Sequence, residues 1–166
     1  MIDLVKFIEY NTWANKRIAD LVLTLPTESI SKETGGSFPS IRQTILHLLG
    51  ADWIWMNRLN GRPIIDIPSE WVLDTSLAIV TKWINLQAEL ETVVKKSAAM
   101  PGTPIKFVTR KGVAHTLSVS DIVTQVVNHG TYHRGQIVNM VRALGFEPVN
   151  TDYFIYCTTM QSAEKR

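Results

Sequence analysis

The sequence predicts an all-α protein: a four-helix bundle with a small β-hairpin set before the last helix. Three observations carry that fold class. Four long stretches repeat apolar side chains at helical spacing. Each of them closes on proline or glycine. Between the third and the fourth, the period shortens to alternating runs around a turn-like cluster.

The first helix is expected from Ile2 to Leu25, with Leu4, Phe7, Ile8, Ala14, Ile18, Leu21, Val22 and Leu25 on one face and Pro26 as its stop. Asn11 and Asn15 interrupt that face. They read first as surface amides, with buried polar groups facing a site as the alternative. Thr27 to Pro39, with Gly35-Gly36 inside it, reads as a long loop. The second helix runs from Ser40 to Asn60. Ser40 and Gln43 have the spacing of a capping box, and Gly61 stands just past the end. Ile41, Ile45, Leu48 and Trp55 form its apolar stripe. His47 lies on the shoulder, in line with Gln43, Thr44, Ala51 and Ile54, where a half-exposed surface histidine is the plain reading.

After a second irregular connection holding Pro63, Pro68 and Glu70, the third helix spans Thr75 to Ala99. It carries Leu77, Val80, Ile84, Leu90, Val93 and Val94, while Lys82, Glu89, Glu91, Lys95 and Lys96 form a solvated face. Pro104 to Ser118 reads as the hairpin, turning at Arg110-Lys111-Gly112, with His115 exposed on it. The fourth helix starts near Ser120 and ends at Leu144-Gly145. An irregular tail with Thr151-Asp152-Tyr153-Phe154 is expected to pack back on the bundle. Long connections after the first and second helices predict a bundle that is not simply up-down-up-down.

The chemistry concentrates in the fourth helix, at Asn128-His129-Gly130-Thr131-Tyr132-His133-Arg134-Gly135-Gln136. Helical geometry puts two residues four apart within about 40° of each other around the axis and one turn apart along it. His129 and His133 therefore share an arc with Ile122, Val126, Ile137 and Met140. Asp121, Asn128, Arg134, Asn139 and Arg142 fall outside it. Imidazoles on a buried stripe need partners. Backbone carbonyls or neighbouring side chains would satisfy them; so would one shared divalent ion, and a third ligand would decide between the two.

The totals bound the function. One domain covering residues 1–166 is expected, with a substantial core. A formal charge of +2 is too mild to argue for nucleic acid, and Arg110-Lys111 is the clearest basic pair on a projecting element. No apolar run is long enough for a bilayer, and the N-terminus has no signal layout. The single cysteine, Cys157, rules out an internal disulfide. A cytoplasmic protein that engages neither nucleic acid nor membrane is the expectation.

With these pieces in place the chain resembles the DinB/YfiT-like family of metal-dependent proteins. Tyr10-Asn11-Thr12-Trp13-Ala14-Asn15 is similar to that family's first-helix signature. Ser40-Ile41 followed by Ile45-Leu46-His47-Leu48 is similar to its second-helix motif, and Leu117 through Ile137 to its best-marked segment. Thr151-Asp152-Tyr153 resembles its tail, although Pro148-Val149-Asn150 stands where a double proline is common. The resemblance implies a crossed connection, a homodimer, and a divalent metal held by His47, His129 and His133.

A three-imidazole ion keeps its full charge and an open position, and histidine ligands suit zinc, nickel or iron. The glutamate of a His-Glu-x-x-His peptidase is replaced here by Gly130. The assigned apolar faces carry no Asp or Glu; Asn11, Asn15, Gln43, Tyr132 and Gln136 are the polar residues in range. Asn11, Gln43, Tyr132 and Gln136 are the candidates to support the ligands or touch substrate. Hydrolysis profits from a proton-transfer group, whereas a coordinated thiol is deprotonated by the ion itself. Relatives of this fold include enzymes that join small thiols to electrophiles. The expectation is a metal-dependent thiol S-transferase using a low-molecular-weight thiol, with a metal-dependent hydrolase or a non-catalytic metal-binding stress protein as alternatives.

Overall fold

The computed structural model describes residues 2–62 and 66–163. Asp3 caps α1 (Leu4–Thr24) by accepting from the backbone of Val5 and Lys6. A one-turn α2 (Thr27–Ser31) follows, then α3 (Ile41–Leu59), α4 (Ser76–Ser97), strands β1 (Pro104–Val108) and β2 (Ala114–Ser118), α5 (Val119–Ala143) and α6 (Tyr153–Ala163). Ser40 caps α3 through the Gln43 amide; the reciprocal capping box forms at α5, between Ser118 and Asp121. The strands pair antiparallel from Pro104 opposite Ser118 to Val108 opposite Ala114. Gly112 supplies the positive φ of 76° at the hairpin's turn.

The four long helices make the bundle. α1 and α3 each pack against both α4 and α5, so the first two long helices stand on a diagonal. Directions follow from cross-helix partners. Lys95 meets Glu9 and Gln87 meets Asn15, so α1 and α4 are antiparallel. Arg42 meets Leu73 and Asp74 while Asp52 meets Trp83 and Gln87, so α3 and α4 are parallel. Thr44 meets Met140 and His47 faces His129, so α3 and α5 are antiparallel. The order is up-down-down-up, with a crossed connection.

Three expectations need correction. Thr27 to Pro39 is not loop throughout, because α2 opens it behind Pro26. The tail is not irregular: α6 packs on α1 through Tyr10, whose ring meets Tyr153 at 5.1 Å and Tyr156 at 5.7 Å. Its apolar residues are spread around the axis, so no helical period announces it. The stripe on α4 is also rotated. Ile79, Val80, Trp83, Leu86, Leu90 and Val94 are buried, whereas Leu77 is exposed. Pro63, among the residues expected in the second connection, lies outside the described residues.

The largest departure lies inside the bundle. Each helix carries a heptad-like seam, and each seam turns polar at the same depth. In α1 the seam is Leu4, Ile8, Asn11, Asn15, Ile18, Val22, all buried. Asp52 occupies the seam of α3, Gln87 that of α4 and Arg134 that of α5, and none is more than 3% exposed. Arg134 donates through Nη1 to Asn11 Oδ1 (2.8 Å) and Asn15 Oδ1 (2.7 Å). Asn15 Nδ2 donates to Gln87 Oε1 at 2.9 Å, and Gln87 Nε2 to Asp52 Oδ2 at 2.7 Å. Trp83 Nε1 also donates to Asp52, at 3.0 Å. Asn11 and Asn15 are therefore not surface amides, Arg134 is not outside the buried arc, and an acid does lie on an apolar face. A guanidinium on α5 and a carboxyl on neighbouring α3 are joined through the core by amides of α1 and α4.

Candidate metal centre

α3 and α5 cross so that three imidazoles meet. His47 Nε2 lies 3.0 Å from His129 Nε2, and His133 Nε2 lies 3.1 Å from the same atom. One nitrogen from each of the three rings falls within 4.8 Å of the others. His133 is buried; His47 and His129 are half-buried.

The donor set fits a divalent ion. Bonds of about 2.0–2.1 Å from zinc to imidazole put neighbouring ligand nitrogens about 3.3 Å apart in a tetrahedron and about 2.9 Å apart in an octahedron. The two separations from His129, 3.0 and 3.1 Å, fall between these values. Protonation states agree. Burial, then His133 and His47, hold His129 down at about 4, well below its ordinary 6.5. Burial and His133 lower His47 too. His129 and His47 thus present lone pairs at neutral pH.

Gln136 fixes the third ring. Its Nε2 donates to Ser37 Oγ at 3.0 Å, which turns Oε1 towards His133 Nδ1, 2.8 Å away. We assign the His133 proton to Nδ1 on that network, leaving the Nε2 lone pair facing the other two rings. Among the described residues no carboxylate or thiol joins the group.

The comparisons with known proteins bear on this arrangement. The model of the DinB family matches residues 1–165. The chain belongs to the DinB family. It is similar to the protein DinB of Bacillus subtilis (strain 168), 29% identical over 165 residues and covering 91% of each chain. It is also similar to YizA of the same organism, described as uncharacterized, at 23% over 152 residues, covering 90% of this chain and 93% of that one. A crystal structure of a DinB-like protein from Bacillus cereus superposes with a TM-score of 0.67 at 16% identity, covering 87% of this chain and 94% of the other, a likeness of fold.

The remaining candidates of this DinB-family chain sit at different distances from the triad. Tyr132 is exposed, its ring edge-on to His133 at 5.0 Å. Gln43 lines a surface cavity next to His47. Asn11 hydrogen-bonds to Arg134 and Gln87 and holds the guanidinium from behind. There Gly130 is the critical residue, because a Cβ on it would stand 2.7 Å from Asn11 Oδ1 and 2.8 Å from Arg134 Nη1. So one face of α5 turns His129 and His133 towards α3, and the adjoining face turns Gly130 and Arg134 towards α1. His115 is on the exposed hairpin, stacked on Phe107 at 5.8 Å, away from the triad.

Sequence reading missed Phe38, which covers the site. Its ring lies nearly flat on His47 at 4.3 Å and tilts towards His133 at 5.7 Å. It comes from an irregular segment, where period gives no signal. It also missed the cavity, about 640 Å³, that opens beside His47. No helix among the described residues is long and apolar enough to cross a membrane.

Replacing Gln136 with Leu removes the acceptor that orders His133 without touching a ligand. Affinity for zinc is expected to fall about 10–100-fold with the fold intact. A chelator competition giving unchanged affinity would remove Gln136 from the site.

Proposed function

We propose that the protein is a metal-dependent transferase that joins a low-molecular-weight thiol to an electrophile. The observation that carries the reading is the composition of the centre: three imidazoles with inward lone pairs and no carboxylate among them. An ion bound there would supply a positive charge that deprotonates a thiol and holds it as thiolate. His47, His129 and His133 would hold that ion, zinc, nickel or iron by ligand type, and Gln136 would keep His133 oriented. Phe38 shields the face of His47 from water. Tyr132, exposed beside His133, offers a hydroxyl to an incoming substrate. Asp52 is not available as a base, because it is fully buried and already accepts from Trp83 and Gln87. A homodimer belongs to the same proposal; sedimentation equilibrium giving the mass of one chain would remove it.

Hydrolysis stays as a second reading on one observation, the carboxylate of Asp66 in the wall of the cavity that His47 also lines. That group is held by Arg110 at 2.7 Å. Incubating zinc-loaded protein with an aryl halide and a panel of small thiols separates the readings. Conjugation that needs both metal and thiol, and that His133→Ala abolishes, is the expected result. Ester cleavage without thiol would favour the hydrolase. Neither activity, with metal tightly bound, would favour a binding protein.

A further inference from the structure

The cavity beside His47 has a second end. Its floor is one stripe of α3, at His47, Ala51, Ile54 and Arg58, spaced four, three and four residues. At 1.5 Å per residue, His47 and Arg58 stand about 16 Å apart along the axis. The middle is apolar, formed by Leu46, Gly50, Ala51, Ile54, Trp55 and Ile67.

Arg58 is held in an unusual way. Its guanidinium lies 4.5 Å from the Trp55 ring and 4.1 Å from the Phe107 ring, in the corner these two nearly perpendicular rings make. Among the described residues no carboxylate pairs with it, and its Nε is buried without a hydrogen-bond partner. The other cations of the wall are engaged: Arg42 donates to the carbonyls of Leu73 and Asp74, and Arg110 binds Asp66. Three guanidiniums against one carboxylate leave the cavity positive. A rigid fork with open donors, aimed by aromatic packing, matches a planar anion such as a carboxylate.

We propose that this cavity binds an elongated organic anion, its negative group on Arg58 and its other end beside His47. The Arg58 end stands on the cavity alone, whereas the His47 end rests on the transferase reading. The ligand has an extended apolar stem lying along the stripe, since the apolar residues separate the two polar ends.

Titration calorimetry on metal-free protein tests the Arg58 end. Octanoate is expected to bind at least tenfold more tightly than octanol, and acetate not measurably. Arg58→Gln should erase that preference and Arg58→Lys restore part of it. Equal binding of octanoate and octanol to wild type, or an undiminished preference in Arg58→Gln, overturns the proposal. Should Arg58→Gln fail to fold, Ala51→Phe blocks the floor midway and must abolish octanoate binding; full binding there overturns it equally. Zinc-loaded protein tests the His47 end. Mercaptododecanoate, with its thiol at the far end and a chain long enough to bridge the two ends, is expected to exceed dodecanoate tenfold. Parity would detach the cavity from the triad while the metal-free result still supports the anion site.

Discussion

His129→Ala is expected to cost more than about 100-fold in zinc affinity, beyond the range for residues that only support a ligand. His129 Nε2 is the atom both other rings approach, at 3.0 and 3.1 Å, so its loss removes the nitrogen that ties the set together. Metal content after dialysis against a weak chelator measures it; equal zinc in wild type and variant would end the assignment. Acid should act in the same direction, with a definite window. A lowered pKa favours the neutral ring, so protons compete with metal only as pH falls towards that value. Occupancy is expected to hold at pH 6.5 and fall as pH approaches 4, where His129 titrates. In the metal-free protein the same shift means that an unfolded chain takes up protons below 6.5 that the folded chain refuses. The contribution of His129 to stability is therefore lost as pH falls from 6.5 towards 4.

The second large effect falls on folding. Arg134→Met is expected to destabilise the metal-free protein by about 2–4 kcal/mol, because it strips the donor from two buried amide oxygens while sparing the desolvation of a guanidinium. Asn11 and Asn15 lose their only Nη1 partner, and Thr131 and Tyr10 lose Nη2. Urea unfolding measures it, and a loss under about 0.5 kcal/mol would make the polar layer a passenger. A second readout is specific to charge. Burial raises Asp52 from 3.8 to about 6, against the pull of Gln87, Trp83 and Arg134. Between those values the folded chain keeps a proton that the unfolded chain has released, so this contribution to stability falls as pH rises from 3.8 to 6. Without the guanidinium the carboxyl is held less firmly ionised, and the upper edge of that window should move above 6. A merely apolar packing defect would not move it.

Why the fold was readable and the polar layer was not comes down to what periodicity measures. Ile122, Val126, Ile137 and Met140 are all buried with the His129–His133 arc, as their spacing requires. The hairpin forms at the expected residues because alternation and a glycine turn are local signals. Asp52, Gln87 and Arg134 carry polar atoms, and a pattern of apolar residues sorts such atoms to the surface by default. Only the partner's chemistry keeps them inside, and the partners lie on other helices. Asn11 and Asn15 held the one available clue, since both fall on the heptad positions of Leu4, Ile8, Ile18 and Val22. The meeting of His47 with the pair on α5 came from a family resemblance, because nothing within α3 distinguishes a shoulder histidine from a ligand. Phe38 and the Arg58 cavity needed the chain folded.

The triad is gripped from two sides that answer to different constraints. Inward, Gly130 and Arg134 tie α5 to α1 through atoms that tolerate no added methyl. Outward, Ser37 and Phe38 arrive on a stretch with no regular hydrogen-bond ladder, the exposed Ser37 at the protein's edge. An exchange of Phe38 would recast the cover over His47 and leave the imidazole spacing as it is, whereas Ser37, through Gln136, also bears on the orientation of His133. The outer wall of the centre is therefore open to rebuilding over evolutionary time except where it reaches the third ring, while the inner wall is fixed by the core.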